Sequence, residues 1–448
     1  MGPGSYMKSQ LFSLPFPAAA LIIVLLLSSG CIGDYVANRD IVVVRISPGG
    51  ETDWAETLDY GFDDYAGDIA ITEDGGCIVA GKNASSRYGD YISRLVRFSP
   101  GGDILWDKIL PGSDGSQYYS RYSVVQTGDS GFAVLTGDGT IFRTGPEGEL
   151  LWRTTTGIDD ARSLVATSDG GFAAAGLQQD RIPFGSVPVY GESGNVTYRD
   201  PLPGEVVATP GCHETVIGSG DNARTVTECT VPVDMIKQAA VVKVDENGNV
   251  SWKKAYGAEN LTSAWAVAES PGGENLFVAG YETTGDHNVN TTSYAAVLLL
   301  DGNGTALSSD RLDRIGYYTR PVICNAPGGY DIMYINTTLH DGHYLNRLAE
   351  AHFDTGKGEI TSIRIIGNGT VFARTAGGEY LIAGTSPGSS GGSAGGYRDR
   401  IIDLSLYDSG GNLLRETKVQ GVSASSVEKV VPLPGGGCMI LALKENFG

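Results

Sequence analysis

An all-β chain built from one four-stranded antiparallel unit repeated seven times is what this sequence predicts. Three observations predict it: two hairpin signatures that alternate along the chain, a Trp at a fixed offset in one of them, and termini that fall half a unit out of phase. The unit is plainest between Tyr65 and Leu110. Alternating Ile69 and Ile71 turn at Asp74-Gly75-Gly76 into Cys77-Ile78-Val79-Ala80-Gly81, and Leu95-Val96-Arg97-Phe98 turn at Pro100-Gly101-Gly102 into Ile104-Leu105-Trp106. Period-two alternation bounded by Gly-rich turns is the pattern of short antiparallel strands.

The first turn recurs at Asp129-Ser130-Gly131, Asp169-Gly170-Gly171, Gly272-Gly273, Gly328-Gly329, Gly377-Gly378 and Gly435-Gly436. The second recurs at Gly49-Gly50, Gly148, Gly248, Gly304, Gly358 and Gly410-Gly411. A Trp follows the second turn at Trp54, Trp106, Trp152 and Trp252, whereas later copies carry Ser308, Ser362 and Arg415. A single four-stranded unit leaves both sheet faces bare, and seven such units cover each other in a ring. The expectation is therefore a seven-bladed β-propeller over residues 40–448.

The phase of the repeat adds a detail. The first hairpin, Ile41–Thr57, is of the Trp type, and the last, Val427–Leu443, is of the Gly-Gly type. If the Gly-Gly hairpin supplies the two inner strands, one blade is shared between the chain ends. Such a 2+2 closure leaves no open sheet edge in the ring. Ala80-Gly81, Ala175-Gly176, Ala279-Gly280 and Ala383-Gly384 close second strands, where small residues suit a crowded axis.

Composition narrows the function class. The 448 residues include 64 Gly and 19% charged residues, with a net charge of −20. That balance argues against nucleic acid, whose phosphates call for clustered Lys and Arg. Lys8 precedes the apolar run Ala18–Leu27, which is too short to span a bilayer and reads as a signal segment over residues 1–30. Residues 31–39 form a tether. Sequons at Asn83, Asn195, Asn249, Asn260, Asn290, Asn303, Asn336 and Asn368 suggest an exported, glycosylated surface.

The longest excursion is residues 177–238, between the second and third strands of one unit. It contains Cys212 and Cys229, two Cys in one insertion of an exported chain, which read as a stapling disulfide. Cys77, Cys324 and Cys438 are expected to be buried thiols.

Three constellations bear on chemistry. His340-Asp341-Gly342-His343 lacks a third ligand in sequence reach and reads as a solvated turn. Asp245-Glu246-Asn247-Gly248-Asn249 and Asp301-Gly302-Asn303-Gly304 lack the spacing and closing Glu of a Ca²⁺ loop and read as hairpin turns. The third is compositional: Tyr60, Phe62, Asp63, Asp64, Tyr88, Asp90, Tyr91, Tyr118 and Tyr119 crowd loops expected on one face. Aromatic faces beside carboxylates suit carbohydrate rings, or a protein contact. No metal and no cofactor is expected.

These motifs resemble the repeats of prokaryotic, secreted, lipid-anchored β-propellers of the broad PQQ-like and WD40-like kind, over nearly everything after Arg39. Quinoprotein dehydrogenases usually have eight blades and cofactor-binding residues not found here, so no PQQ is expected. Ser28-Ser29-Gly30-Cys31 resembles the lipobox of prokaryotic lipoproteins. That resemblance implies diacylation of Cys31 and an extracytoplasmic protein held to the cell membrane. The functional expectation is a non-enzymatic binding or interaction module with a protein or carbohydrate ligand on the loop face. The alternatives are a carboxylate-dependent carbohydrate-active enzyme and an extracytoplasmic assembly scaffold. An enzyme requires two or more carboxyl groups converging in the axial pocket with perturbed acidity. A binder requires an open, aromatic-rich surface.

Overall fold

In the computed structural model, all seven hairpin pairs form four-stranded antiparallel sheets. The residues described are 37–86, 91–115, 121–181, 187–190, 196–199, 211–217, 224–230, 235–257, 261–284, 292–315, 320–340, 343–369, 371–387 and 400–447. Cys31, expected from the sequence to be acylated, lies outside them. Among the described residues, no helix is long and apolar enough to cross a membrane.

Blade 1 is the shared one, ordered Thr52–Leu58, Ala37–Ile46, Cys438–Phe447, Ser426–Pro432. Its central pairing joins the chain ends in unbroken register from Ala37 opposite Phe447 to Ile46 opposite Cys438. Blades 2 to 7 follow in chain order, and their innermost strands are Asp64–Ile71, Tyr122–Gln126, Asp160–Ala166, Ser263–Glu269, Val322–Ala326 and Val371–Arg374. The 2+2 closure is thus present as the phase of the repeat predicts.

Burial follows the period-two rule, but the core is not one body. Seven apolar clusters each straddle one blade boundary. In Ala37–Ile46, Val42, Val44 and Ile46 pack against blade 7, whereas Ile41 and Val43 pack against blade 2. Both faces of each sheet are therefore apolar, and no blade buries its own core.

The turns explain the Asp-Gly-Gly signature. Thr72 donates to Asp74 Oδ1 at 2.7 Å, and the same oxygen accepts the Gly76 N–H at 3.1 Å. Gly75 adopts φ 83°, which only Gly takes freely. The Trp positions are inter-blade packing. Trp54, Trp106, Trp152 and Trp252 each donate the indole N–H to a backbone carbonyl in the next blade's turn, at Pro100, Pro146, Glu246 and Gly302.

Inner strands carry a second regularity. Register shifts skip Gly67, Arg162, Trp265 and Glu428 in the strand ladders of blades 2, 4, 5 and 1. Each is a β-bulge, which turns one side chain out of the ladder. The small second-strand residues answer to these bulges rather than to crowding at the axis. A Cβ on Gly81, Gly176 or Gly280 would lie 2.5, 2.4 or 2.0 Å from the carbonyl oxygen of Tyr65, Asp160 or Ser263 in the bulged strand.

Two expectations need correction. The excursion expected over residues 177–238 begins and ends as extended ladder, Leu177 to Arg181 pairing with Ala239 to Met235, and the ladder of blade 6 runs on until His340 pairs directly with His343. Backbone hydrogen bonding continues there because Thr- and Tyr-rich flanks suit a pleated strand. The sequon residues Asn83 and Asn336 are buried, so neither can carry a glycan in the folded chain. Cys77 and Cys438 are fully buried free thiols, and Cys324 is a half-buried one.

Candidate functional site

All inner strands start on the face that receives the long connections, so the expected loop cluster and the axial mouth share one side of the ring. The expected residues separate into three groups. Tyr88, Asp90, Tyr118 and Tyr119 lie outside the described residues, as do the side chains of Cys212 and Cys229. The backbone register of Gly211–Ile217 with Arg224–Thr230 sets Cys212 directly opposite Cys229.

Tyr60, Asp63 and Tyr91 do come together at the boundary of blades 1 and 2, but their surfaces are already engaged. Arg94 lies over the Tyr60 ring at 4.0 Å, while the Tyr60 hydroxyl donates to Asp107 Oδ2 at 2.8 Å. Arg94 also pairs with Asp107 at 3.0 Å and donates to Asn83 Oδ1 at 2.7 Å. Asp63 pairs with Arg39 at 3.2 Å, and Arg39 lies 4.1 Å over the Tyr65 ring. Tyr91 meets Tyr65 edge-to-face at 5.4 Å, with the Lys82 ammonium 4.4 Å over its ring. Burial, aided by the hydrogen bond to Tyr91, raises the Tyr65 phenol to about 12. Phe62 remains exposed at 38%. Cations thus cover ring faces that the sequence suggested were offered to sugars.

Asp64 is the clear departure. It is not a loop residue but the first residue of the inner strand of blade 2, and it is 0% exposed. Its Oδ2 accepts the Tyr60 N–H at 3.1 Å, and burial pushes its carboxyl up to about 7. Asp40, 3% exposed on Ala37–Ile46, is also raised by burial. One carboxylate oxygen each from Asp40, Asp59 and Asp64 lie within 4.8 Å of one another. Converging carboxylates with perturbed acidity are present, but they sit between blades and off the axis.

The axial mouth holds residues that the sequence did not single out. Arg121 stands just before the inner strand of blade 3, Arg162 is the bulge residue of blade 4 and Trp265 that of blade 5. The guanidinium carbons of Arg121 and Arg162 lie 4.4 and 4.0 Å from the Trp265 ring centroid. Both cations share one carboxylate oxygen, Asp160 Oδ2, at 3.1 and 2.5 Å. Arg320, from the approach to blade 6, donates across the mouth to the Gly67 carbonyl of blade 2 at 3.3 Å. Its charge acts on both other guanidiniums. Burial first, and then Arg162, pull Arg121 down to about 10, and burial lowers Arg162 as well. Arg162 is 8% exposed, and among the described residues its Nη1 has no hydrogen-bond partner; neither does Asp160 Oδ1. Among the described residues, Asp160 is the one carboxylate paired with this group of three cations, in a chain of net charge −20.

The other constellations are accounted for locally. Asp245 Oδ1 accepts the N–H groups of Asn247 and Asn249, so this acidic turn serves its own backbone. Asp301 Oδ1 does the same for Asn303 and Thr305. His352 Nδ1 lies 2.7 Å from Asp331 Oδ1. The side chains of His340 and His343 lie outside the described residues.

No protein-family model matches the chain, and no curated protein sequence does. Among solved structures, BamB from Moraxella catarrhalis is 11% identical, with 89% of this chain and 91% of that one covered and a TM-score of 0.35. The C-terminal WD40 domain of Sif2 is 8% identical, covering 85% and 96%, with a TM-score of 0.41. The Synechocystis apocarotenoid oxygenase Glu150Gln mutant is 10% identical, covering 84% and 87%, at 0.42.

Proposed function

We propose that this chain is a non-catalytic interaction module that docks a protein partner on its loop-bearing face, with an acidic group of the partner seated in the axial mouth. The observation that carries this is the unbalanced cation cluster, in which Arg121 and Arg162 share Asp160, the charge of Arg320 bears on both, and Arg162 Nη1 stays buried without a partner among the described residues. A buried unpaired guanidinium N–H is costly, and a carboxylate brought by a ligand relieves that cost. The orphaned Asp160 Oδ1 accepts a donor from the same ligand. A peptide suits this better than a neutral sugar, because the rim aromatics already carry cations on their rings. The enzyme reading loses support for a related reason: Asp40 and Asp64 are sealed from substrate.

Attachment completes the proposal. Acylation of Cys31 holds the ring to the outer side of a membrane, two acyl chains being enough for stable anchoring. A Cys212–Cys229 bond staples the insertion, since directly opposed antiparallel residues have Cα atoms about 4.5–5.5 Å apart, within disulfide range. Cys31→Ser then moves the protein from the detergent phase to the aqueous phase; unchanged partition overturns the anchor.

The docking test is calorimetric titration with a glutamate decapeptide, a lysine decapeptide and polygalacturonate. The glutamate peptide is expected to bind, and the Arg121→Gln/Arg320→Gln double variant to weaken it at least about tenfold. Binding of polygalacturonate alone identifies an acidic glycan as the ligand instead. No binding of either polyanion, or an unchanged double variant, overturns the axial site.

A further inference from the structure

We propose that Asp40, Asp59 and Asp64 form a calcium site that clasps the shared blade 1 to blade 2. The ligands come from three stretches: Ala37–Ile46 of blade 1, the connection leaving Thr52–Leu58, and the first residue of Asp64–Ile71. One oxygen of each carboxylate is already committed. Asp40 Oδ2 accepts from Asn446, Asp64 Oδ2 from the Tyr60 N–H, and Asp59 Oδ1 from the Gly61 N–H at 2.7 Å. What remains is unusual. Asp40 Oδ1 and Asp64 Oδ1 are both buried without a hydrogen-bond partner among the described residues.

Two buried, unpartnered carboxylate oxygens beside a third acid are strongly unfavourable as they stand. The neighbouring cations relieve them only in part, Arg94 acting on Asp64 and Lys444 on Asp40. Arg39 is committed to Asp63, Arg94 to Asp107 and Asn83, and Lys444 acts on Asp40 without an ion pair among the described residues. A divalent cation balances most of three negative charges and completes both orphaned oxygens.

Geometry selects the ion. All donors are carboxylate oxygens, which suit hard cations rather than zinc. Calcium takes oxygens at about 2.3–2.6 Å, so oxygens on opposite sides of the ion are about 4.8 Å apart, the limit within which all three lie. Asp59 is exposed, leaving the solvent side open for the water ligands that six to eight coordination requires. Asn446, in the C-terminal strand, holds Asp40 in place, so the site assembles only once the chain ends have paired.

The test is thermal melting of the full chain stripped with EGTA, then supplied with CaCl2 or MgCl2. Calcium at about 1 mM should raise the Tm by several degrees, as expected for a ligand that binds only the folded state. Magnesium should do little. Asp64→Asn and Asp40→Asn should each melt above the wild type in EGTA, because a buried charge is removed, and should no longer respond to calcium. Equal melting of the wild type in EGTA and calcium overturns the site, and an equal response to magnesium overturns the assignment to calcium. If either variant fails to fold, terbium luminescence sensitised by Tyr60 in the wild type decides: calcium must displace it, and a signal that calcium leaves unchanged overturns the proposal.

Discussion

Blades 1 to 4 hold their neighbours from the outside, whereas blades 5 to 7 hold theirs from within and by charge. On the first side, each Trp donates to the next blade's turn. Trp54, Trp106 and Trp152 also lie 6.0, 5.7 and 5.8 Å from Phe98, Phe132 and Phe172 of that blade. On the second side, Ser308 merely packs beneath Gly358. There the aromatic contact moves inward, where Phe277 stacks on Tyr330 at 4.3 Å and meets Phe353 at 4.9 Å. At the last two boundaries an arginine takes over the reach of the indole. Arg364 donates to the Ser409 carbonyl and Arg415 to that of Pro48, both at 2.7 Å. The lesson is that the ring needs an adhesive at every boundary, but not the same one. A decaying Trp signal marks a change of means, not a weaker fold.

The strongest way to break this arrangement ignores the difference between halves. Deleting Gly435–Gly448 removes the strand Cys438–Phe447 and strips blade 1 to three strands, exposing apolar faces towards both blades 2 and 7. The loss should exceed about 5 kcal/mol, comparable to the whole stability of many domains. Melting followed by circular dichroism should show collapse of the entire transition, and a truncated chain with an unchanged Tm would show that closure does not hold the ring.

Single residues then separate the two halves. Phe277→Ala should cost about 3–5 kcal/mol, since the ring is fully buried between two aromatics. Trp106→Ala should cost less, about 2 kcal/mol, because the indole is half-buried and part of its surface is already wet. Chemical denaturation of both variants tests the order, and the reverse order would place the main adhesive outside in both halves. Arg415→Met, at an exposed hydrogen bond to a carbonyl, should cost only about 1 kcal/mol.

Acid sharpens the contrast by the smallest amount. Asp74 and Asp169 are held at about 2 against their own desolvation by Arg97 and Lys243, and Asp129 by Thr127 and then Arg143. Depressed carboxylates add stability that is full above about pH 4 and fades as pH falls towards 2. All three lie in blades 2 to 4, and their carboxylates are half-exposed, so the effect is modest. An Arg97→Met/Arg143→Met/Lys243→Met variant should melt lower at pH 6 and show a flatter fall between pH 4 and 2. A profile parallel to the wild type would remove these pairs from the account.

The sequence by itself determined the strands, the turns, the blade count and the closure of the ring. Those features rest on local chemistry repeated many times: alternation places apolar residues on both faces, Asp-Gly-Gly supplies the turn, and the phase of the repeat dictates which hairpins must meet. It also marked Tyr60, Asp63 and Tyr91 as neighbours, because strand alternation puts their connections on one face of the ring. Only the tertiary structure decided what they do, since Arg94 and Lys82 arrive over the Tyr60 and Tyr91 rings and Arg39 pairs with Asp63. It alone sealed Asp64 against Asp40, although alternation offered no sign that an acid beginning a strand would be buried between blades. And it alone assembled Arg121, Arg162, Trp265 and Arg320. Two of these project from β-bulges, which break the alternation that strand patterns are read from, and all four meet only where separate blades converge on one axis.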